Sequence, residues 1–125
     1  MATHCGIAVK DGAGYNTIYC HHDGYPKYMY EMLTQNYNSE ELATKLVSLG
    51  DASYIAENLE AKGPHSFDNP DYSVCCFYHR DRGEPWDDVA PACFDKRTMC
   101  SNFYYAYIWE DGQWNFYKDG KKVEA

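Results

Sequence analysis

An aromatic segment near the C-terminus, NFYYAYIWEDGQWNFYKDG at residues 102–120, restricts the fold more than any other stretch. Aromatic and β-branched residues favour strands, and an Asp-Gly pair favours the type I′ turn of a tight β-hairpin. The segment therefore predicts two antiparallel strands that are joined at Asp111 and Gly112. Trp109 is expected to lie opposite Trp114 across this turn, with both indole rings partly buried.

A second hairpin is predicted near the N-terminus. Residues 3–9 (THCGIAV) and 16–22 (NTIYCHH) have strand character, and turn-forming residues lie between them. If the turn centres near residues 12–13, Cys5 is expected to lie opposite His21. Strand alternation then gives two sets of side chains, which are Cys5, His21 and Asp23 on one face and His4, Cys20 and His22 on the other. A shift of one residue would mix the sets and would still leave the Cys and His residues at one end of the hairpin.

The middle of the chain is predicted to be helical. Residues 27–37 (KYMYEMLTQNY) have apolar side chains at helical spacing, and Pro26 suits a first helical turn. A second helix is predicted to begin at an Asn38 cap, with a glutamate three residues later, and to end at Gly50. Residues 51–60 (DASYIAENLE) are predicted to form a third, short helix.

The remaining segments complete a prediction of fold class. Residues 72–79 (YSVCCFYH) are apolar enough for a central strand, in which Cys75 and Cys76 are expected to be buried packing residues. Residues 80–101 are expected to be a long, mostly irregular loop, and such loops are often functional. The order of two strands, helices and three further strands predicts an α+β fold with a mainly antiparallel sheet, in a single domain over residues 1–125.

Charge restricts the kinds of partner. Nineteen acidic and eleven basic residues give a net charge of −8. Such a surface repels phosphate, so direct binding of nucleic acid is disfavoured, and a basic protein surface is a better partner. Solubility alone is the alternative explanation of the charge. The thirteen tyrosines can fill a core or form an interface.

The chain is expected to be soluble and intracellular, with no membrane partner. It lacks a run of roughly 20 apolar residues that could span a membrane, and its first residues do not resemble a signal peptide. In a reducing compartment its six cysteines are expected to be thiols or metal ligands rather than disulfides.

Metal-binding residue types are concentrated in CHHD, at residues 20–23. Zinc in structural sites takes four nitrogen or sulfur ligands. The hairpin end offers such a set, which is Cys5, Cys20, His21 and His22, with His4 as a spare and His65 or His79 as further donors. Adjacent Cys20 and His21 face opposite ways in an ideal strand, so a site there needs a bulge or the start of a turn. The alternative is a strand whose polar residues include histidine, and His65 is expected to order its own loop through hydrogen bonds.

The RDRGE stretch at residues 80–84 has two interpretations. It can be a salt-bridged loop, or Asp81 can join Asp23 at a metal centre that activates water. The sequence contains no nucleophile elbow, P-loop or His-Glu-x-x-His motif, which argues against an enzyme.

Three blocks resemble small proteins carried by bacteriophages and mobile elements. These blocks are CHHDGYP (20–26), HSFDNP (65–70) and FYHRDRGE (77–84), and the resemblance extends from Ala2 to Trp114. A cysteine-rich member of that family is similar to a zinc-containing anti-CRISPR protein against type II effectors. This chain departs from the common pattern by His22 in place of Trp and by His4-Cys5 in place of Arg-Ser, which adds potential zinc ligands.

The resemblance implies an inhibitor in the cytoplasm of a host bacterium, which binds a type II RNA-guided nuclease and blocks loading of target DNA. Contact with the nuclease is expected through the 80–100 loop, at Trp86, Asp87 and Asp88. The alternatives are a small metal-dependent phage enzyme, acting as a hydrolase or on nucleotides, and a structural phage protein.

Overall fold

A mixed β-sheet with helices on both faces organises the chain. The computed structural model describes residues 3–124, and Met1, Ala2 and Ala125 of the predicted 1–125 domain lie outside the described residues. Within residues 3–124 the chain forms eight strands and five helices. In chain order they are β1 (Cys5–Asp11), β2 (Gly14–Cys20), α1 (Pro26–Asn36), α2 (Glu40–Ser48), β3 (Ala52–Tyr54), β4 (Cys76–Phe77), α3 (Tyr78–Arg82), α4 (Trp86–Val89), β5 (Ala92–Phe94), α5 (Lys96–Asn102), β6 (Tyr105–Glu110), β7 (Gln113–Lys118) and β8 (Lys121–Val123).

The sheet has the strand order β4-β3-β2-β1-β6-β7-β8, and β5 pairs with β2 beside β3. In the described part of the chain, β1 with β6 and β2 with β3 pair in parallel, and the other pairings between these strands are antiparallel. This arrangement confirms the predicted α+β class with a mainly antiparallel sheet.

The N-terminal hairpin is confirmed, but its predicted register is wrong by one residue. Asp11 pairs with Gly14 around a two-residue turn, so Cys5 lies opposite Cys20 and not opposite His21. The predicted face sets therefore change: Cys5 and Cys20 share the face that packs into the core, and both are fully buried.

The C-terminal hairpin agrees with the sequence. Trp109 pairs with Trp114, and Asp111 (φ 58°) and Gly112 (φ 75°) both have the positive φ of a type I′ turn. The indole rings meet edge to face with centroids 5.6 Å apart. They are 6% and 3% exposed, which is deeper than the partial burial that the sequence suggested.

The first two helices are confirmed, with one change of cap. Helix α1 begins with Pro26 in its first turn. Helix α2 is capped by Ser39 and not by Asn38, because the Ser39 hydroxyl accepts a hydrogen bond from the Leu42 N–H (3.1 Å). Gly50 (φ 86°) ends this helix as predicted.

Three local predictions are wrong, each because tertiary pairing overrides the local pattern. The predicted third helix at 51–60 begins with strand β3, which is fixed by pairing with both β2 and β4. The predicted strand at 72–79 is paired only at Cys76–Phe77, and helix α3 follows it at once. The predicted irregular segment at 80–101 contains α4, β5 and most of α5.

Among the described residues, two apolar cores lie on opposite faces of the sheet. Helices α1 and α2 cover the larger one, where Leu33 and Leu46 pack with Ile7 and Tyr107. Helix α5 covers the smaller one, which contains Met99. Side chains on the α1/α2 face of β1 and β2 are therefore removed from solvent, and this limits what the cysteines of the hairpin can bind.

Candidate metal centre

The hairpin cysteines lie inside the larger core. Cys5 and Cys20 are both 0% exposed and directly opposite each other. Burial, with a contribution from the neighbouring Cys20 side chain, raises the pKa of the Cys5 thiol well above its ordinary value. The Cys20 thiol donates to the carbonyl oxygen of His22 (3.5 Å).

The hairpin histidines form a separate cluster on the other face. His21 and His22 follow the end of β2, and the His21 ring lies beside those of His4 (centroids 4.7 Å apart) and His22 (4.5 Å). The Tyr19 hydroxyl hydrogen-bonds with Nδ1 of His4 (2.8 Å) and Nδ1 of His21 (2.6 Å). Burial lowers the pKa of His21, and His22 and His4 lower it further.

The structure does not bring the predicted ligand set Cys5, Cys20, His21 and His22 together. The cysteines face the core, whereas the His21 ring lies on the face of Tyr19. A single zinc ion would reach all four only after the chain rearranged at the end of β2, so this ligand set stays a prediction.

One group in the described part of the chain could hold a metal ion. His65, Cys76 and Asp81 each offer one donor atom, and these atoms lie within 4.8 Å of one another. His65 comes from the loop before β4, Cys76 from β4 itself and Asp81 from α3. The side chains of His65 and Asp81 are 3% and 7% exposed.

Both ring nitrogens of His65 have hydrogen-bond partners. Nδ1 accepts from the Asp71 N–H (2.9 Å), and Nε2 donates to the Cys75 carbonyl oxygen (3.1 Å). The neutral ring therefore has its proton on Nε2, 3.5 Å from Oδ2 of Asp81. These bonds confirm that His65 orders its own loop, and a metal would have to replace one of them.

Asp81 is surrounded by donors. Its Oδ2 accepts from the Phe77 N–H (2.8 Å), and its Oδ1 accepts from Nε of Arg80 (3.1 Å). Arg80 also donates to the carbonyl oxygens of Leu59 (2.7 Å) and Cys75 (2.9 Å), so it ties α3 to the preceding loop. Together with the Arg82–Glu84 ion pair (3.2 Å), these contacts confirm the salt bridges expected of RDRGE. The expected loop is wrong for its first three residues, which belong to α3.

Cys76 is 1% exposed, and burial raises its pKa to about 11. The thiol is therefore protonated near neutral pH, which is opposite to what a cysteine nucleophile requires. A bound cation would reverse this preference, because metal coordination deprotonates the thiol. Nitrogen, sulfur and carboxylate oxygen are all donors that zinc accepts.

The predicted partner-binding residues lie in helix α4. Trp86 is 39% exposed, and its ring meets His79 edge to face with centroids 5.2 Å apart. Asp87 and Asp88 follow in the first turn and are exposed. We call Trp86, Asp87 and Asp88 the acidic ridge. The Trp86 ring also packs against Gly50, since a Cβ added at Gly50 would lie 3.1 Å from the indole. One side of the indole is therefore in contact with the protein.

Similarity to known proteins gives no further guide to these sites. The chain matches no family model, no curated protein and no solved structure. Among residues 3–124, no helix has the length and apolar character needed to cross a membrane. The charge, the surface and the buried donor group are therefore the features that bear on function.

Proposed function

We propose that this protein is a non-catalytic inhibitor that binds a basic, nucleic-acid-binding surface of a host RNA-guided nuclease. By occupying that surface in the bacterial cytoplasm, it prevents the nuclease from loading target DNA. The observation that carries the proposal is the net charge of −8, combined with exposed acids beside a half-exposed tryptophan on α4.

The physical basis is competition for a positive surface. RNA-guided nucleases hold the guide–target duplex in a positively charged channel that contacts the phosphate backbone. An acidic protein is attracted to such a channel, and it is repelled by nucleic acid itself. The partner is thus a protein and neither nucleic acid nor a membrane.

The acidic ridge supplies both kinds of contact that such an interface needs. Asp87 and Asp88 give electrostatic complementarity, which sets specificity and the rate of association. Trp86 gives a large apolar surface, and tryptophan is one of the residues enriched among the anchors of protein interfaces. Its support by Gly50 and His79 limits the entropy that it loses on binding.

Charge reversal on the ridge tests the proposal. We expect Asp87→Lys combined with Asp88→Lys to weaken nuclease binding by at least about tenfold without unfolding the protein, because both side chains are exposed. The control is Glu57→Lys combined with Asp68→Lys, which makes the same change in net charge at other exposed positions. Equal loss of binding in the two variants, measured by surface plasmon resonance, would show that the ridge has no specific role.

A metal-dependent enzyme is the second candidate, and the His65–Cys76–Asp81 group is the observation that favours it. A catalytic zinc keeps an open coordination position for water or substrate. The side chains of this group are almost completely buried. Burial of this kind suits a structural ion better than a catalytic one, so we favour the inhibitor.

We also propose that the His65–Cys76–Asp81 group binds a zinc ion and that this ion stabilises the fold. Nitrogen, sulfur and carboxylate oxygen are all donors that zinc accepts, and a structural zinc at these three side chains would need a fourth ligand. A zinc ion there would compete with the Arg80 guanidinium for Asp81 and with the Asp71 N–H for His65.

Metal analysis of cysteine variants tests the zinc proposal. We expect about one zinc per chain in the purified protein, loss of that zinc in Cys76→Ser, and a fall in stability of several kcal/mol, because metal-binding free energy is part of folding free energy. Cys93→Ser is the control, since Cys93 is exposed and outside the group. Loss of zinc in Cys20→Ser but not in Cys76→Ser would instead support the hairpin ligand set. A metal-free protein whose melting is unchanged by chelator would refute both.

A further inference from the structure

A cavity of about 290 Å³ lies where the turn after β2 meets α1, β3 and the loop before β4. Its lining residues are His22, Asp23, Tyr28, Tyr54 and Tyr72. His22 belongs to the predicted hairpin ligand set, and none of the five belongs to the His65–Cys76–Asp81 group or to the acidic ridge. The lining combines three tyrosines with one acidic side chain, which restricts what the cavity can bind.

The tyrosine hydroxyls are largely committed to the protein backbone. The hydroxyl of Tyr28 donates to the Ile55 carbonyl oxygen (2.7 Å), and that of Tyr54 donates to the Asp71 carbonyl oxygen (3.2 Å). Burial raises the pKa of both phenols to about 12, so both are neutral at physiological pH. These rings therefore offer the cavity aromatic surface rather than free hydroxyl donors.

Tyr72 completes the aromatic wall. Its ring lies 5.9 Å from that of Tyr54, centroid to centroid, at an angle of 34°. Tyr72 is nevertheless 78% exposed, more than any other large apolar side chain in the described part of the protein. An aromatic ring this open, beside a cavity, is available to a ligand.

Asp23 is exposed and has a backbone conformation that few residues adopt. Its φ is +59°, in the left-handed region. The next residue is fixed on both sides, because the Gly24 N–H donates to the Thr3 carbonyl oxygen (2.8 Å) and the buried Tyr107 hydroxyl donates to the Gly24 carbonyl oxygen (2.7 Å). A Cβ at Gly24 would lie 2.7 Å from Cβ of Cys5, so the turn packs tightly against β1.

The charge of Asp23 is not compensated within the described structure. Its carboxylate forms no hydrogen bond or ion pair with any residue from 3 to 124. The lining of the cavity includes no lysine or arginine. Its only fixed charge is therefore negative, at a position that the surrounding backbone holds in place.

We propose that this cavity binds an alkylammonium group, with Asp23 as counter-ion and the rings of Tyr28, Tyr54 and Tyr72 as the cation–π wall. A cation over aromatic faces is stabilised by the ring quadrupole, and tyrosine-rich cages of this kind recognise methylated ammonium groups. The ammonium can belong to a free quaternary amine or to a lysine side chain, methylated or not, on another protein. The inference does not depend on the proposed inhibition of a nuclease.

A matched pair of probes separates charge from shape. Choline and its neutral isostere 3,3-dimethyl-1-butanol have nearly the same size, so we expect choline to bind at a single saturable site and the alcohol to bind at least roughly tenfold more weakly. Binding is followed by the NMR shifts of the tyrosine ring protons. Equal affinity for the two probes would identify a merely apolar pocket, and no saturable shift with choline would overturn the proposal.

Two variants assign the site. Tyr72→Leu removes an exposed ring, and Asp23→Asn removes the charge while keeping a residue type that tolerates positive φ. We expect each to weaken choline binding by roughly fivefold or more. Tyr104→Leu is the control, since Tyr104 is 55% exposed and does not line this cavity. Unchanged binding in both variants, or an equal loss in the control, would contradict the assignment.

Short peptides identify the source of the ammonium. A peptide containing trimethyllysine, the same peptide with unmodified lysine and one with acetyllysine are titrated beside choline. Tighter binding of either charged peptide than of choline indicates a protein partner, and tighter binding of choline indicates a free amine. If the acetyllysine peptide, whose side chain is neutral, binds as tightly as the charged peptides, recognition of a cation is contradicted.

Discussion

At the scale of single residues, Glu110 is a nearly buried carboxylate on the α5 face of the sheet, and its neighbours compensate the cost of burying its charge. Its side chain is 10% exposed, and its carboxylate accepts hydrogen bonds from the Lys96 ammonium (2.7 Å) and the Tyr15 hydroxyl (2.8 Å). Lys96 also lies over the rings of Tyr15 and Tyr117. This network connects α5 to β2 and β6, and it should be visible in the pH dependence of stability.

Hydrogen bonding to Lys96 lowers the pKa of Glu110 below its ordinary value of 4.5. In such a case the stabilisation is fully present above the pKa of the unfolded chain and is lost as the pH falls through the lower pKa of the folded protein. We expect Glu110→Gln to be less stable than the natural protein at pH 7 and to lose less stability between neutral and acid pH. Urea unfolding at a series of pH values measures this difference.

The matched control is Glu57→Gln, because Glu57 is exposed and takes part in no ion pair within residues 3–124. It should follow the stability curve of the natural protein. If the free energy of unfolding falls equally with decreasing pH in Glu110→Gln and in the natural protein, the Glu110 carboxylate contributes nothing to the loss of stability at acid pH.

Single residues also show where sequence reasoning about the candidate site succeeds and fails. The hydrogen bonding of His65 and the ion pairs of RDRGE follow from local polar residues in a loop, and both were predictable. The proximity of His65 to Asp81 was not predictable, because it depends on the loop before β4, which Arg80 ties to α3 through hydrogen bonds. The division of Cys20 from His21 follows from strand alternation alone and is predicted from the sequence. Which of the two shares a face with Cys5 depends on the register, and the structure gives Cys20.

At the scale of secondary structure elements, the turns were more predictable than the short strands. Asp111-Gly112 and the Pro26 start of α1 are specified by residues whose backbone preferences are strong. Strands β3 and β4 contain three and two residues, and pairing with distant partners is what makes them strands. No local pattern in two or three residues can specify such a pairing. The sequence of residues 51–60 therefore predicts a helix although the segment begins with strand β3.

The C-terminal hairpin gives the element-scale prediction. Gly112→Val should destabilise the protein by about 1–2 kcal/mol, because a β-branched residue resists the positive φ that the type I′ turn requires. A Cβ at Gly112 meets no atom within 4 Å, so the cost is backbone strain and not a clash. The measurement is the free energy of unfolding in urea.

Gly63→Val is the matched control, since a Cβ at Gly63 also meets nothing and its φ is outside the positive range. It should leave stability nearly unchanged. If the two variants unfold at the same urea concentration, the turn at Asp111-Gly112 does not constrain the hairpin.

At the scale of the whole molecule, net charge and surface are the properties that bear on function. The sheet and its two cores account for most apolar side chains, including nearly all of Trp109 and Trp114. The aromatic residues left exposed, among them Trp86, Tyr72 and Tyr104, lie outside those cores and are available for binding. If the protein is the inhibitor proposed above, it acts by occupying a surface, and its effect must be stoichiometric and sensitive to salt.

Titration of this protein against purified type II RNA-guided nucleases is the most direct test. We expect target cleavage to fall linearly until the inhibitor equals the nuclease in concentration, and we expect association to slow as ionic strength rises and the Debye length shortens to below about 10 Å. The ridge variant Asp87→Lys with Asp88→Lys should require an excess. Complete inhibition at a small fraction of the nuclease concentration would indicate an enzyme instead, and no inhibition of any effector tested would contradict the account.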